Sequence, residues 1–215
     1  MKKGDLIIIF IIILFIGLML SPWTAGTFRY LSSHFPYSTG FVKFAVLATI
    51  GEMLAIRIVS GEYRKPHYLF IRIFIWGFVG ILIVFNFALY EDGIRGILER
   101  GLLPSLNYYP VYVAFLIASA MNLTFGPAFM AVHRISDAYL ANKAEGKCGL
   151  ASAVKRVDWN SFMTFVVGKT IPFFWIPAHT VTFLLPSVYR VFVAAMLSIA
   201  LGLILAFATL RKNSK

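Results

Sequence analysis

Apolar residues gather in six long runs along the chain, at 6–20, 42–59, 70–90, 108–132, 162–186 and 191–210, with polar and basic residues filling the breaks. A helix rises about 1.5 Å per residue, so about 20 mostly apolar residues cross the roughly 30 Å hydrocarbon layer of a bilayer. Each run approaches that length. Backbone groups in hydrocarbon must bond within their own segment, which makes each run a helix. The pattern predicts an all-α, polytopic transmembrane bundle of about six spans, with residues 1–215 forming a single integral membrane domain.

Two runs are irregular. The first follows Met1-Lys2-Lys3, and a short basic segment before an apolar run also describes a signal peptide. Residues 20–26 offer no clean small-x-small cleavage site, so a retained anchor is expected; cleavage would leave five spans. Trp23 and Tyr30 suit an interfacial belt after it. The fifth run holds Pro172 and Pro177 and ends at Pro186. Each proline removes an amide donor, so this span is expected to be proline-broken, either kinked or re-entrant.

Composition supports the bilayer as solvent. Hydrophobic residues make up 60% of the chain, charged residues only 13%, and mean hydropathy is +0.81, which is too little polar surface for a water-soluble fold of 215 residues. The net charge of +11 and pI near 9.9 would suggest nucleic acid in a soluble protein. Here they read as Lys and Arg in cytoplasmic loops facing anionic lipid, and no nucleic-acid partner is expected. In the six-span arrangement 14 Lys and Arg fall on one side and five (Arg29, Lys43, Arg95, Arg100, Arg190) on the other, with Lys169 inside a span. That asymmetry places both termini in the cytoplasm, together with the basic loop 133–161, which is expected to contain a short helix. Residues 91–100 carry Ile94, Ile97 and Leu98 on one helical face and could lie along the outer interface. The single cysteine, Cys148, cannot form an internal disulfide.

Charged side chains at a helix centre cost about 2.5–3.5 kcal/mol on insertion scales, so they are the first candidates for function. Glu52, Asn122, Lys169 and His179 lie within runs, and Arg190 immediately precedes the last one. Together these five form a candidate polar path. The competing reading is interhelical bonding, with Glu52 paired to Lys169 or accepting from Asn122, and with His179 held by packing. Arg57 is placed to snorkel toward the cytoplasmic face. His133-x-x-x-Asp137 falls short of a metal-site signature, so no metal and no cofactor are expected. Paired cysteines, a phosphate-binding glycine loop and a serine nucleophile elbow are all missing from the sequence, which argues against an enzyme. Asn122-Leu123-Thr124 matches a glycosylation sequon but falls inside a span.

Residues 175–190 read W-I-P-A-H-T-V-T-F-L-L-P-S-V-Y-R. This resembles the C-terminal W-P-P-x-Q-x-x-N-F and V-P-x-x-Y-R motifs of the Mpv-seventeen and peroxisomal-membrane-protein family. Trp175, Pro177, Phe183, Pro186, Tyr189 and Arg190 match if one residue is missing before Pro186. His179 stands in place of Gln, and Thr182 in place of Asn. Gly51-Glu52 is similar to the family's Gly-Asp, residues 77–80 to its G-x-x-G-P, and Asn122 with Pro127 to its D-Q-x-x-x-x-P, although Met121 replaces the Asp. The likeness covers residues 33–209. It implies a channel-like protein of unspecified cargo, here a divergent prokaryotic member in the cytoplasmic membrane. A channel or transporter is therefore expected. The alternatives are a structural or accessory protein binding lipid, a second copy or a membrane partner, and, last, a membrane-embedded enzyme.

Overall fold

The computed structural model describes residues 3–104, 109–147 and 149–213, with side chains to residue 204; Cys148 and the first residue of the 108–132 run lie outside the described residues. Among these the chain is helical, without strands. In order come α1 (Lys3–Leu20), α2 (Ala25–His34), α3 (Pro36–Ser60), α4 (Leu69–Glu99), α5 (Pro110–Ala144), α6 (Leu150–Arg156), α7 (Trp159–Ser161), a π-helical segment (Phe162–Trp175), α8 (Ile176–Leu184) and α9 (Ser187–Asn213). Prolines open α3 and α5, where a missing N–H is harmless. Gly61, at φ 76°, closes α3 in the left-handed conformation that glycine adopts without strain.

Among the described residues, four helical stretches are long and apolar enough to cross a membrane: Leu69–Glu99, Pro110–Ala144, Trp159–Leu184 and Ser187–Ile204. A fifth is possible if Gly4–Leu20 and Ala25–His34, which meet at 88°, count as one bent span. These helices fit an integral membrane protein. The expected count of six differs at run 42–59. That run lies in α3, where Lys43, Glu52 and Arg57 interrupt the apolar stretch.

Three other boundaries also differ from the sequence reading. Residues 91–100 form no separate interfacial helix, because α4 continues through Glu99 with Ile94 and Leu98 buried. The loop expected from residue 133 begins only after Ala144, since α5 extends through Arg134, Asp137 and Lys143. Charge ends an apolar run but not a helix. The fifth run does not break at Pro172. Its hydrogen bonding widens to i→i+5 over Phe162–Trp175, as seen in Ile176 N–H donating to Ile171 O.

The chain divides into two compact units, Met1–Phe85 with Ser187–Lys215, and Asn86–Pro186. In the first unit α3 packs along α9, with Phe44, Leu47 and Ala48 buried on one helix and Phe192, Ala195 and Ile199 on the other. Gly51 makes the closest approach: a Cβ there would lie 3.0 Å from the Ile199 backbone. Likewise a Cβ on Gly80 would collide with the Gly40 carbonyl, which brings α4 against α3 at backbone contact. Phe15 of α1 stacks on Phe192 at 6.4 Å. On the outer side of α4, Phe70, Phe74, Phe78, Leu82 and Phe85 form an exposed helical row, the kind of surface that lipid covers. In the second unit α5 packs on α8 and on the π-helical segment around Val113, Ile117, Ala118, Met121, Ile171, Ile176 and Phe183, all buried.

Candidate functional site

The second unit holds a polar pair at its core. Asn122, in the middle of α5, and His179, in the first half of α8, are 3% and 6% exposed. Asn122 Nδ2 donates to the Ala118 carbonyl at 2.8 Å. The same nitrogen lies 2.9 Å from His179 Nδ1, and Asn122 Oδ1 lies 3.2 Å from it. The amide therefore serves either neutral tautomer: Nδ2 donates to a bare Nδ1, or a protonated Nδ1 donates to Oδ1. The imidazole stacks on Trp175 at 5.2 Å and meets the edge of Phe87 at 5.8 Å, and Phe87 in turn packs on Phe183 at 4.9 Å. Thr182, fully buried one turn later, donates back to the Ala178 carbonyl at 2.8 Å. The Trp175 indole nitrogen is buried with no acceptor among the described residues.

The helices explain this arrangement. Asn122 and Ala118 are four apart on α5, while Trp175, His179 and Phe183 are spaced by four across the π-helical segment's end and α8, so one face carries all three. Pro177, exposed, is the second residue of α8, which continues directly from the π-helical segment, so its missing N–H takes one donor from the helical ladder there. Pro186 follows the last helical turn.

The other candidates lie elsewhere. Lys169 is exposed on the π-helical segment, and Arg190 is half-buried in the first turn of α9. Glu52 in the first unit accepts from Arg72 Nη1 at 2.5 Å and from Trp76 Nε1 at 3.2 Å. Its partners are thus Arg72 and Trp76, four residues apart on α4, and not Lys169 or Asn122. The glycine contact between α3 and α4 brings that pair onto the carboxylate. Arg57 does not snorkel freely, since its Nε stands 3.5 Å from Asp5 Oδ1 with the guanidinium 5.8 Å from the centre of the Tyr63 ring. Tyr63 donates to the same carboxylate oxygen at 2.6 Å, and burial, then this bond to Asp5, push its phenol up to about 12.

Sequence reading also missed a polar hairpin at the end of α5. Arg156 Nη1 donates to Asn142 Oδ1 at 2.8 Å and pairs with Glu145 at 2.8 Å, Lys147 pairs with Glu145 at 3.0 Å, and Asn142 Nδ2 donates to Ser152 at 2.9 Å. Bonds from Lys147 and Arg156 hold the exposed Glu145 carboxyl below its ordinary range. His133 and Asp137 lie 3.6 Å apart, and no group of three or more metal-ligating side chains occurs among the described residues. No family model, curated protein or solved structure matches the chain.

Proposed function

We propose that the chain is a multi-pass membrane protein of channel or transporter type, passing ions or small solutes along a path that includes Glu52, Asn122, Lys169, His179 and Arg190. The observation carrying this reading is the Asn122–His179 pair, an ionisable group buried between two helices apolar enough to span. Ionisable residues at membrane depth mark solute paths more often than they serve packing alone. The π-helical run beside it adds weight, since such backbone clusters at functional sites. In this proposal α3 is a sixth span, with Lys43 bonded to Ser32, Glu52 to Arg72 and Arg57 to Asp5. Both termini face the cytoplasm of a prokaryotic cell, and the chain is a divergent relative of the Mpv-seventeen family. Reconstitution into liposomes with ion and small-solute flux assays tests it. Flux in wild type that falls in His179→Leu supports the reading, whereas no flux for any tested solute in wild type removes it.

A second reading, a structural or accessory membrane protein, is favoured by the closure of Glu52: both oxygens are taken by donors of the same unit. Mild-detergent isolation from native membranes separates the two, because a stoichiometric partner or a stable homo-oligomer without flux selects the accessory role.

A further inference from the structure

Among the described residues, the first unit buries a cation with no anion beside it. Lys43, in the second turn of α3, is 5% exposed. Its Nζ donates to Ser32 Oγ at 2.8 Å and lies 4.6 Å from the centre of the Phe28 ring. Those are its contacts among the described residues, and both partners are neutral. An ammonium has three donors, so two remain open, and the Ser32 hydroxyl proton faces no acceptor among the described residues.

Among the described residues of the unit no carboxylate side chain reaches this place. Between Asp5 and Glu52 the sequence has no acidic residue, and none follows Asp158, so α2, the first half of α3 and α9 are free of them. The unit's acids are Asp5, Glu52 and Glu62. Glu52 stands nine residues further along the same helix, about 13 Å by helical rise, and holds Arg72 and Trp76. Asp5 is committed near Arg57, about 21 Å along α3. Glu62 lies beyond the end of α3 and is exposed. The Phe28 ring stacks in turn on Tyr189 at 6.1 Å, which adds no charge. A buried charge without a counter-ion is strongly unfavourable, and a ring face together with one hydroxyl does not offset its lost hydration.

We propose that Lys43 and Ser32, walled by Phe28, form a binding site for an oxyanion of the phosphate class, presented by an acidic phospholipid headgroup or by free phosphate. The oxyanion supplies the missing charge and accepts the open donors. This stands apart from the transport reading, since neither Lys43 nor Ser32 belongs to the path proposed above and binding needs no flux.

Full-length protein in phosphate-free maltoside micelles is the test material. One arm adds phosphatidic acid to the micelles, and the other adds inorganic phosphate to the buffer. The readouts are thermal stability and lipid retention by native mass spectrometry. Wild type is expected to be stabilised in at least one arm, and the arm that responds names the source. Lys43→Met is expected to weaken that binding by at least about tenfold, while Lys43→Arg retains most of it. Without anion Lys43→Met is expected to unfold no earlier than wild type, because it removes an uncompensated charge. Ser32→Ala, a milder change, is expected to weaken binding by less than Lys43→Met and guards against a folding defect in the latter. Equal binding by wild type, Lys43→Met and Ser32→Ala, or no response of wild type in either arm, overturns the proposal.

Discussion

Removing the charge of Glu52 should expose how far the first unit depends on one ion pair. The carboxylate accepts from Arg72 at 2.5 Å and from Trp76 at 3.2 Å, and the paired side chains are only 21% and 14% exposed. A hydrogen bond to a charged group contributes about 1.5–3 kcal/mol, and breaking a fully buried pair costs about 3–5 kcal/mol because the remaining charge is stranded. Partial exposure discounts the second figure, and bonds between membrane helices measure weaker than expected, averaging about 0.6 kcal/mol when neutral. Together these place Glu52→Gln at about 2–3 kcal/mol of destabilisation. Arg72→Met, which strands the carboxylate, should cost a similar amount. The double variant should cost clearly less than the sum, leaving a coupling of about 2 kcal/mol, near thirtyfold in the unfolding equilibrium. Denaturant titration in mild detergent, followed by circular dichroism, measures all four proteins. Trp76 fluorescence reports locally, since its N–H loses a charged acceptor. Additive costs, with coupling under about 0.5 kcal/mol, would show that the contact is incidental and that the reasoning is wrong.

Other perturbations probe the remaining contacts. Gly80→Ala, whose Cβ would meet the Gly40 carbonyl, should destabilise by about 1–3 kcal/mol, whereas Gly93→Ala, with nothing within 4 Å, should be neutral or slightly stabilising in the same unfolding assay. Asn122→Leu should cost about 0.6–1.7 kcal/mol, less than Glu52→Gln, because a neutral pair is lost; a cost equal to that of Glu52→Gln would refute this ordering. The Tyr63 phenol, raised to about 12, should titrate by ultraviolet absorbance well above an ordinary tyrosine and fall only part of the way back in Asp5→Asn, because burial, the larger cause, remains. A raised value means that its contribution to stability is full below about 10 and is lost as pH climbs through about 12. The lowered Glu145 carboxyl has the opposite sign: its support for the α5–α6 hairpin is present above pH 4.5 and fades as pH falls through the depressed value, so protease nicking in 145–158 should rise in acid and in Glu145→Gln at neutral pH.

What the sequence could disclose follows from what each feature depends on. The spans of α4, α5 and α9 were legible because twenty apolar residues in a row admit few other solutions. The extension of α5 to Ala144 was not, since Arg134, Asp137 and Lys143 ended the hydropathy signal while leaving helix propensity intact. The π-helical bonding of 162–175 was not legible either. Two prolines announce a disturbed span, but whether the backbone breaks or widens depends on which carbonyl each amide can reach. Asn122 and His179 were each singled out as intramembrane polar groups. Their pairing across 57 residues needed the packing of α5 on α8.

Between helices in lipid, apolar contact alone selects no register, since lipid tails are as apolar as leucine. Close glycine contacts and polar pairs must do it. In the first unit Gly40 and Gly80 fix the depth at which α4 meets α3, and Glu52 with Arg72 then fixes the rotation. Asp5 with Arg57 and Tyr63 ties the start of α1 to the end of α3. In the second unit Asn122 and His179 do the same for α5 and α8. Each of these contacts is complete within the unit that makes it. Lys43 is different, because its helix places it where neither α2 nor α9 carries an acid. The same composition that suits these helices to lipid, acid-poor and basic at their ends, is what leaves that ammonium to be answered from outside the chain.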